Sequence, residues 1–350
     1  MTEEMAALRQ LLAEKPSWEL WNQLVSFLDE WPDASSLSMA LEYTRSHLDA
    51  SWTDKWRCGS HRWPKHSVGW KLKSALTTER RENPGSTSVW IPPGSYLMGE
   101  SPTMEDVEAS EHPQLEMTLS RGFWMMTTPV TQELWQSLVQ HNTSTFVEPQ
   151  RPIHHVSWHD SLLFANLLSE AHGFTPAYTF HQPSGEIGRD YHCESVDWDH
   201  KANGWRLPTE AEWEWACRAG STTQTYLGNL RDEDFNENEE GVITSSTLLD
   251  RIAWYDGNSE ERTLPVAQLE PNVWGLYDML GNVFEWCYDA WESRYSGGSL
   301  TDRVILEGDE RVQRGGSWYF YARVIRASGR YGFNPQDRDQ YAGFRLVRSE

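Results

Sequence analysis

Three histidines, His154, His155 and His159, stand close enough in the chain to be weighed as metal ligands. His155 and His159 are four apart, the spacing that places two side chains on one helix face. Val156-Ser157-Trp158 between them reads as the turn from a strand into a helix, so a shared face is not expected and a structural role is. Four cysteines (Cys58, Cys193, Cys217, Cys287) are widely separated, with no CxxC pair. That pattern does not indicate a disulfide framework. Cys217 in Glu-Trp-Ala-Cys-Arg and Cys287 in Glu-Trp-Cys-Tyr read as small buried residues. The densest chemistry is carboxy-terminal. Tyr319, Phe320, Tyr321, Tyr331, Phe333 and Tyr341 crowd a stretch that also carries Arg323, Arg326, Arg330 and Arg338. Rings that cannot all be core are candidates for ligand contact, because aromatic side chains give large contact area with few torsions to freeze. The alternative is that they are ordinary core rings.

Charge narrows the partners. The chain carries a formal charge of −22, a field that repels phosphate backbones, so nucleic acid is not expected as the main partner. From residue 311 onward, eight arginines face only Asp337, Asp339 and Glu350. Either these form a basic surface or they pair with carboxylates elsewhere in the fold. No stretch has the apolar length of a membrane span, and the chain opens without a targeting signal; cytoplasmic residence is the default expectation.

Two units must position these residues. Residues 1–80 read as a helical unit, with Met5, Leu8 and Leu12 on one face, then Trp21, Leu24, Val25 and Leu28, then Leu37, Leu41 and Leu48. Self-association or an effector contact is its expected role. Residues 81–88 have linker composition. From 89 to 350 short strand candidates and Gly/Pro turns dominate: Val89-Trp90-Ile91, then Pro92-Pro93-Gly94, then Tyr96-Leu97-Met98 read as strand, turn and strand. Helical spacing is clear over Thr131–Val139, over Trp158–Ala171 with Ser157 as cap, and over Thr209–Arg218, where Glu210 and Glu212 suit the first turn. The fold class is α+β with much irregular backbone.

Several motifs occur in one order: Ile91-Pro92-Pro93-Gly94 with Met98-Gly99; Thr128-Pro129-Val130-Thr131; Val156-Ser157-Trp158; Arg206-Leu207-Pro208-Thr209-Glu210-Ala211-Glu212-Trp213-Glu214; Asn272-Val273-Trp274-Gly275-Leu276-Tyr277-Asp278-Met279; Gly281-Asn282-Val283-Phe284-Glu285-Trp286; Arg314-Gly315-Gly316-Ser317-Trp318; and Gly343-Phe344-Arg345. Together they resemble the formylglycine-generating enzyme, or sulfatase-modifying factor, family over about residues 88–348. The resemblance implies an elaborated C-type lectin fold. It also implies, for the oxidase members, two cysteines between the Gly-Gly-Ser and Gly-Phe-Arg motifs that hold Cu(I). This chain has no cysteine after Cys287, so that copper site cannot form in the same way. In a related branch of iron-dependent sulfoxide synthases the ligands are amino-terminal histidines. Here His47, His61 and His66 miss that spacing, and Pro64 interrupts the last two. The resemblance further implies a structural calcium ion on Leu280, Gly281, Val283 and Glu285; the alternatives are a plain turn and a Glu285–arginine pair. No other cofactor is expected.

The carboxy-terminal segment is also similar to the variable proteins of diversity-generating retroelements, which share this fold. That likeness implies a non-catalytic protein binding a protein or other ligand through residues 319–341, with Tyr319, Phe320, Tyr321, Arg323, Val324, Gly329, Tyr331, Gly332, Phe333, Asp339 and Tyr341 as contact positions. Two alternatives stand beside it: a metal-dependent oxidase of the same family with an altered site, and a scaffolding subunit.

Overall fold

The computed structural model describes residues 80–83, 86–101, 107–231, 234–237 and 243–349. The helical unit expected over 1–80, with His47, Cys58, His61 and His66, lies outside them but for Arg80. The described chain is α+β, as expected, with short strands in small sheets and long irregular connections between them.

Three helices occupy the expected positions. The first, α1 (Gln132–Gln136), is capped by the Thr131 hydroxyl, which accepts from the Leu134 N–H. It is shorter than its apolar spacing suggests. In α2 (Trp158–Ala171) Ser157 and Asp160 close a reciprocal capping box, and Thr209 and Glu212 do the same for α3 (Glu210–Arg218).

Residues 81–83 and 86–88, expected as part of a linker, are strand. Strand Arg80–Asn83 pairs antiparallel with strand Ser86–Ile91, Asn83 opposite Ser86. Linker composition does not exclude strand pairing on either side of it, and the hydrogen-bond ladder decides. This strand pair is the edge of a five-stranded sheet that continues through Phe123–Met126 and Val347–Arg348 to Trp205–Arg206. Strand Gly94–Met98 belongs instead to a three-stranded sheet with Leu115–Leu119 and Ser299–Thr301. The strand, turn and strand read in the sequence are thus real, but Pro92-Pro93 moves the chain from one sheet to another.

A four-stranded sheet organises the carboxy-terminal half, in the order Arg330–Phe333, Arg311–Arg314, Phe284–Ala290, Ala342–Gly343. Two apolar cores flank it. One holds Trp213, Trp215, Trp274, Met279 and Val312; the other holds Trp135, Trp158, Phe164, Trp286 and Phe344.

Candidate functional site

Register on the four-stranded sheet sorts its side chains onto two faces. Gln313 lies opposite Trp286 on one side and Tyr331 on the other, while Arg314 lies opposite Glu285 and Arg330. Cross-strand partners share a face and neighbours along a strand alternate. Trp286, Gln313 and Tyr331 therefore share one face, together with Phe284 and Phe333 two residues along. Glu285, Arg314 and Arg330 share the other.

The first face is aromatic. Phe284 is its centre, with ring centroids 4.9 Å from Phe320, 5.4 Å from Tyr331, 6.2 Å from Phe333 and 6.3 Å from Tyr341. Tyr319 stacks on Tyr341 at 6.1 Å. Gly315 and Gly316 let the chain lay this loop across the sheet. Both have positive φ, and a Cβ on Gly316 would fall 2.3 Å from Ile325 Cδ1. Backbone bonds then fasten the loop: Trp318 N–H donates to Asn282 O at 3.0 Å and Asp256 N–H to Phe320 O at 3.1 Å.

Of the expected contact positions, Tyr319 (58 % exposed) and Tyr321 (55 %) project into solvent. Phe320, Tyr331, Phe333 and Tyr341 are half-buried with one side outward, and Asp339 is half-buried beside them. Burial raises the pKa of the Asp339 carboxyl, and Tyr341 is hydrogen-bonded to it. Val324 and Gly329 are buried and offer no surface, a correction to the expected set. Gly332 is half-buried, and a Cβ there would meet Trp291 at 2.5 Å. Arg323 stacks over Phe235 at 4.8 Å. The sequence reading missed two members, Phe284 and Gln313. Gln313 is fully buried, and neither Oε1 nor Nε2 finds a hydrogen-bond partner among the described residues. Period-two alternation in Arg-Val-Gln-Arg against Phe-Glu-Trp is the signal that would have placed them.

The second face is ionic, and of the two alternatives for the tail's arginines it favours pairing with carboxylates. Arg330 is buried, its Nε 2.6 Å from Glu210 Oε1. Arg314 contacts Glu214 through Nη2 and lies 3.8 Å from Glu210. Arg326 reaches Glu111 at 2.5 Å, and Arg338 reaches Asp160 at 2.9 Å. Arg314, Arg326, Arg330, Arg338 and Arg345 all pair with carboxylates of other segments. Glu210 and Glu214 are one helical turn apart and face inward from α3. A first-turn role for Glu210 was legible; its burial against two arginines was not.

Of the residues expected to hold calcium, Glu285 is committed to other partners. Glu285 is buried, with Arg345 Nη2 2.7 Å from Oε1 and the Trp213 indole N–H donating to Oε2 at 2.7 Å. Of the alternatives weighed for it, this is the glutamate–arginine pair. Asn282 forms a turn, its side chain bonded to both backbone groups of Leu264. Copper fares no better. Between Ser317 and Gly343 rings and arginines stand where thiolates are needed. Burial pushes the Cys217 thiol up to about 12 and raises Cys287 too.

The three histidines do not converge. His154 is fully buried: Nδ1 lies 3.2 Å from Pro152 O, and Nε2 accepts from Thr145 N–H at 3.0 Å. Burial holds its pKa down at about 4. His159 contacts Cys193 Sγ through Nδ1 at 3.3 Å and is likewise held down at about 4 by burial. No group of three potential ligands that could hold a metal occurs among the described residues, and no described helix is long and apolar enough to cross a membrane.

Comparison with known proteins places this geometry. The sulfatase-modifying factor enzyme 1-like domain matches residues 73–350. The chaperone protein LppX of Paenibacillus barcinonensis is 29% identical over 264 residues, 69% of this chain and 85% of that protein. The formylglycine-generating enzyme of Mus musculus is 26% identical over 301 residues, 78% of this chain and 77% of the enzyme. Among solved structures, Treponema denticola variable protein 1 superposes with a TM-score of 0.63 at 26% identity, covering 78% of this chain and 99% of that one.

Proposed function

Because the chain belongs to the sulfatase-modifying factor family, we propose that it uses the family scaffold for recognition: a non-catalytic protein that binds a peptide or other ligand on the aromatic face built around Phe284. One observation carries this reading. The loop where the oxidase resemblance requires thiolates presents Tyr319 and Tyr321 to solvent above a floor of half-buried rings. Exposed tyrosines on a backbone fixed by the Gly315-Gly316 turn are preorganised contact area. The likeness to a protein named as variable agrees with it. Retroelement diversification of the contact positions is the finer form of the proposal. Its genomic mark is a near-copy of the coding stretch for 311–347 beside a reverse transcriptase gene.

The test is panning of a peptide-display library on the immobilised full chain. Clones enriched on the wild type are expected to lose binding to the Tyr319→Ala/Tyr321→Ala double variant while its melting temperature stays unchanged, because both side chains are mostly in solvent. Equal binding to the double variant would sink the proposal. So would conversion of a cysteine in a sulfatase peptide to formylglycine by the purified chain.

A further inference from the structure

Away from the aromatic face, and sharing no residue with it, a cavity of about 370 Å³ opens where segments distant in sequence meet. Trp90, Arg121, Trp198, Arg206, Asp302 and Arg303 supply its chemistry. Trp90 lies against Gly122 so closely that a Cβ there would sit 2.3 Å from Cζ2, so the missing side chain is what seats the indole. Trp198 is held by Arg206, 5.0 Å from its ring, and by His200 at 4.1 Å.

The charges of the wall are unequally used. Arg206 is clamped by both oxygens of Glu212, at 2.6 and 2.7 Å. Arg303 pairs with Glu292, and Asp302 accepts from the Ser120 N–H at 2.7 Å and from the Ser120 hydroxyl. Arg121 is exposed and has no ion-pair partner among the described residues. A chain of formal charge −22 thus keeps one uncommitted guanidinium at the mouth of an indole-walled cavity. Volumes of this order suit a single ring with one substituent. A guanidinium offers forked donors to an acid group, and indole faces accept flat apolar bodies.

We propose that this cavity binds a small acid carried on a flat ring, with its carboxylate or phosphate on Arg121 and its ring against Trp90 and Trp198. The test uses the full chain with three probes, phenylacetate, phenyl phosphate and neutral phenylacetamide, followed by saturation-transfer NMR and titration calorimetry. One or both acids are expected to bind and the amide to bind about tenfold more weakly, the effect of one charge-assisted hydrogen-bond pair; which acid wins identifies the head group. Arg121→Glu, and Arg121→Gln, which removes only the charge, should each erase the preference for acid at unchanged melting temperature. The proposal is overturned by an amide that binds as well as the acids, by an Arg121 variant that keeps the preference, or by no binding of either acid.

Discussion

The two faces of the four-stranded sheet differ in kind. One holds buried charges, Glu285, Arg314 and Arg330, whereas the other holds rings, from buried Phe284 and Trp286 out to half-buried Tyr331 and Phe333. The carbonyl partners of the arginines explain the first. Arg314 donates to the backbone oxygens of Ala327, Ser328 and Gly329, at 2.7 to 2.9 Å. Arg345 donates to those of Met126, Thr127, Tyr277 and Asp278, and Arg330 to those of Ser110 and Glu292. Irregular backbone leaves carbonyls without a ladder, and a buried carbonyl needs a donor. Arginine brings five donors in a planar fork, so one side chain fastens several loops while a glutamate neutralises it. Buried ion pairs are poor sources of net stability. Their use here is to fix loop geometry. A base fixed in this way leaves the opposite face free to carry side chains chosen for contact.

That contrast can be broken at adjacent residues of one strand. Arg314→Met strips three carbonyls of their donor and leaves Glu214 beside only Arg218, so it should cost about 3–5 kcal/mol in urea denaturation. Gln313→Met removes an amide with no partner and keeps its volume. It should leave stability unchanged or raise it by about 1 kcal/mol. Similar losses from both substitutions would show that the two faces are not distinct in kind.

The smallest effect is in pH. Folded His154 and His159 stay neutral down to about 4, whereas in the unfolded chain they titrate near 6.5. The unfolded state therefore binds more protons across that window, and the stability they contribute is lost as pH falls from 6.5 toward 4. Asp289 acts in the opposite sense. Burial and the nearby Glu210 carboxylate push it up to about 7, so the folded state takes its proton first and gains stability as pH falls from 7 toward 3.8. Asp289→Asn removes that offset, and its melting temperature should drop more steeply than that of the wild type between pH 7 and pH 5. Parallel curves would refute the assignment.

Much of the fold was written locally. The Ser157 cap, the first-turn carboxylates Glu210 and Glu212 and apolar spacing announced three helices, because capping and amphipathicity are short-range. The site was half legible: ring density marked Tyr319 to Tyr341, but Phe284 and Gln313 join it only through strand register, set by pairing between strands distant in sequence. Sign of charge was in the sequence and its exposure was not. Whether Arg330 rims a ligand site or anchors a loop depends on whether a carboxylate 120 residues earlier reaches it. The chain by itself determined the family, the helices, the missing thiolates and the supply of rings, all carried by identity and near-neighbour spacing. Only the tertiary structure decided which arginines are used up inside, that Glu285 pairs with Arg345, and which rings face out, because each of these is settled by contacts between segments that the sequence keeps far apart.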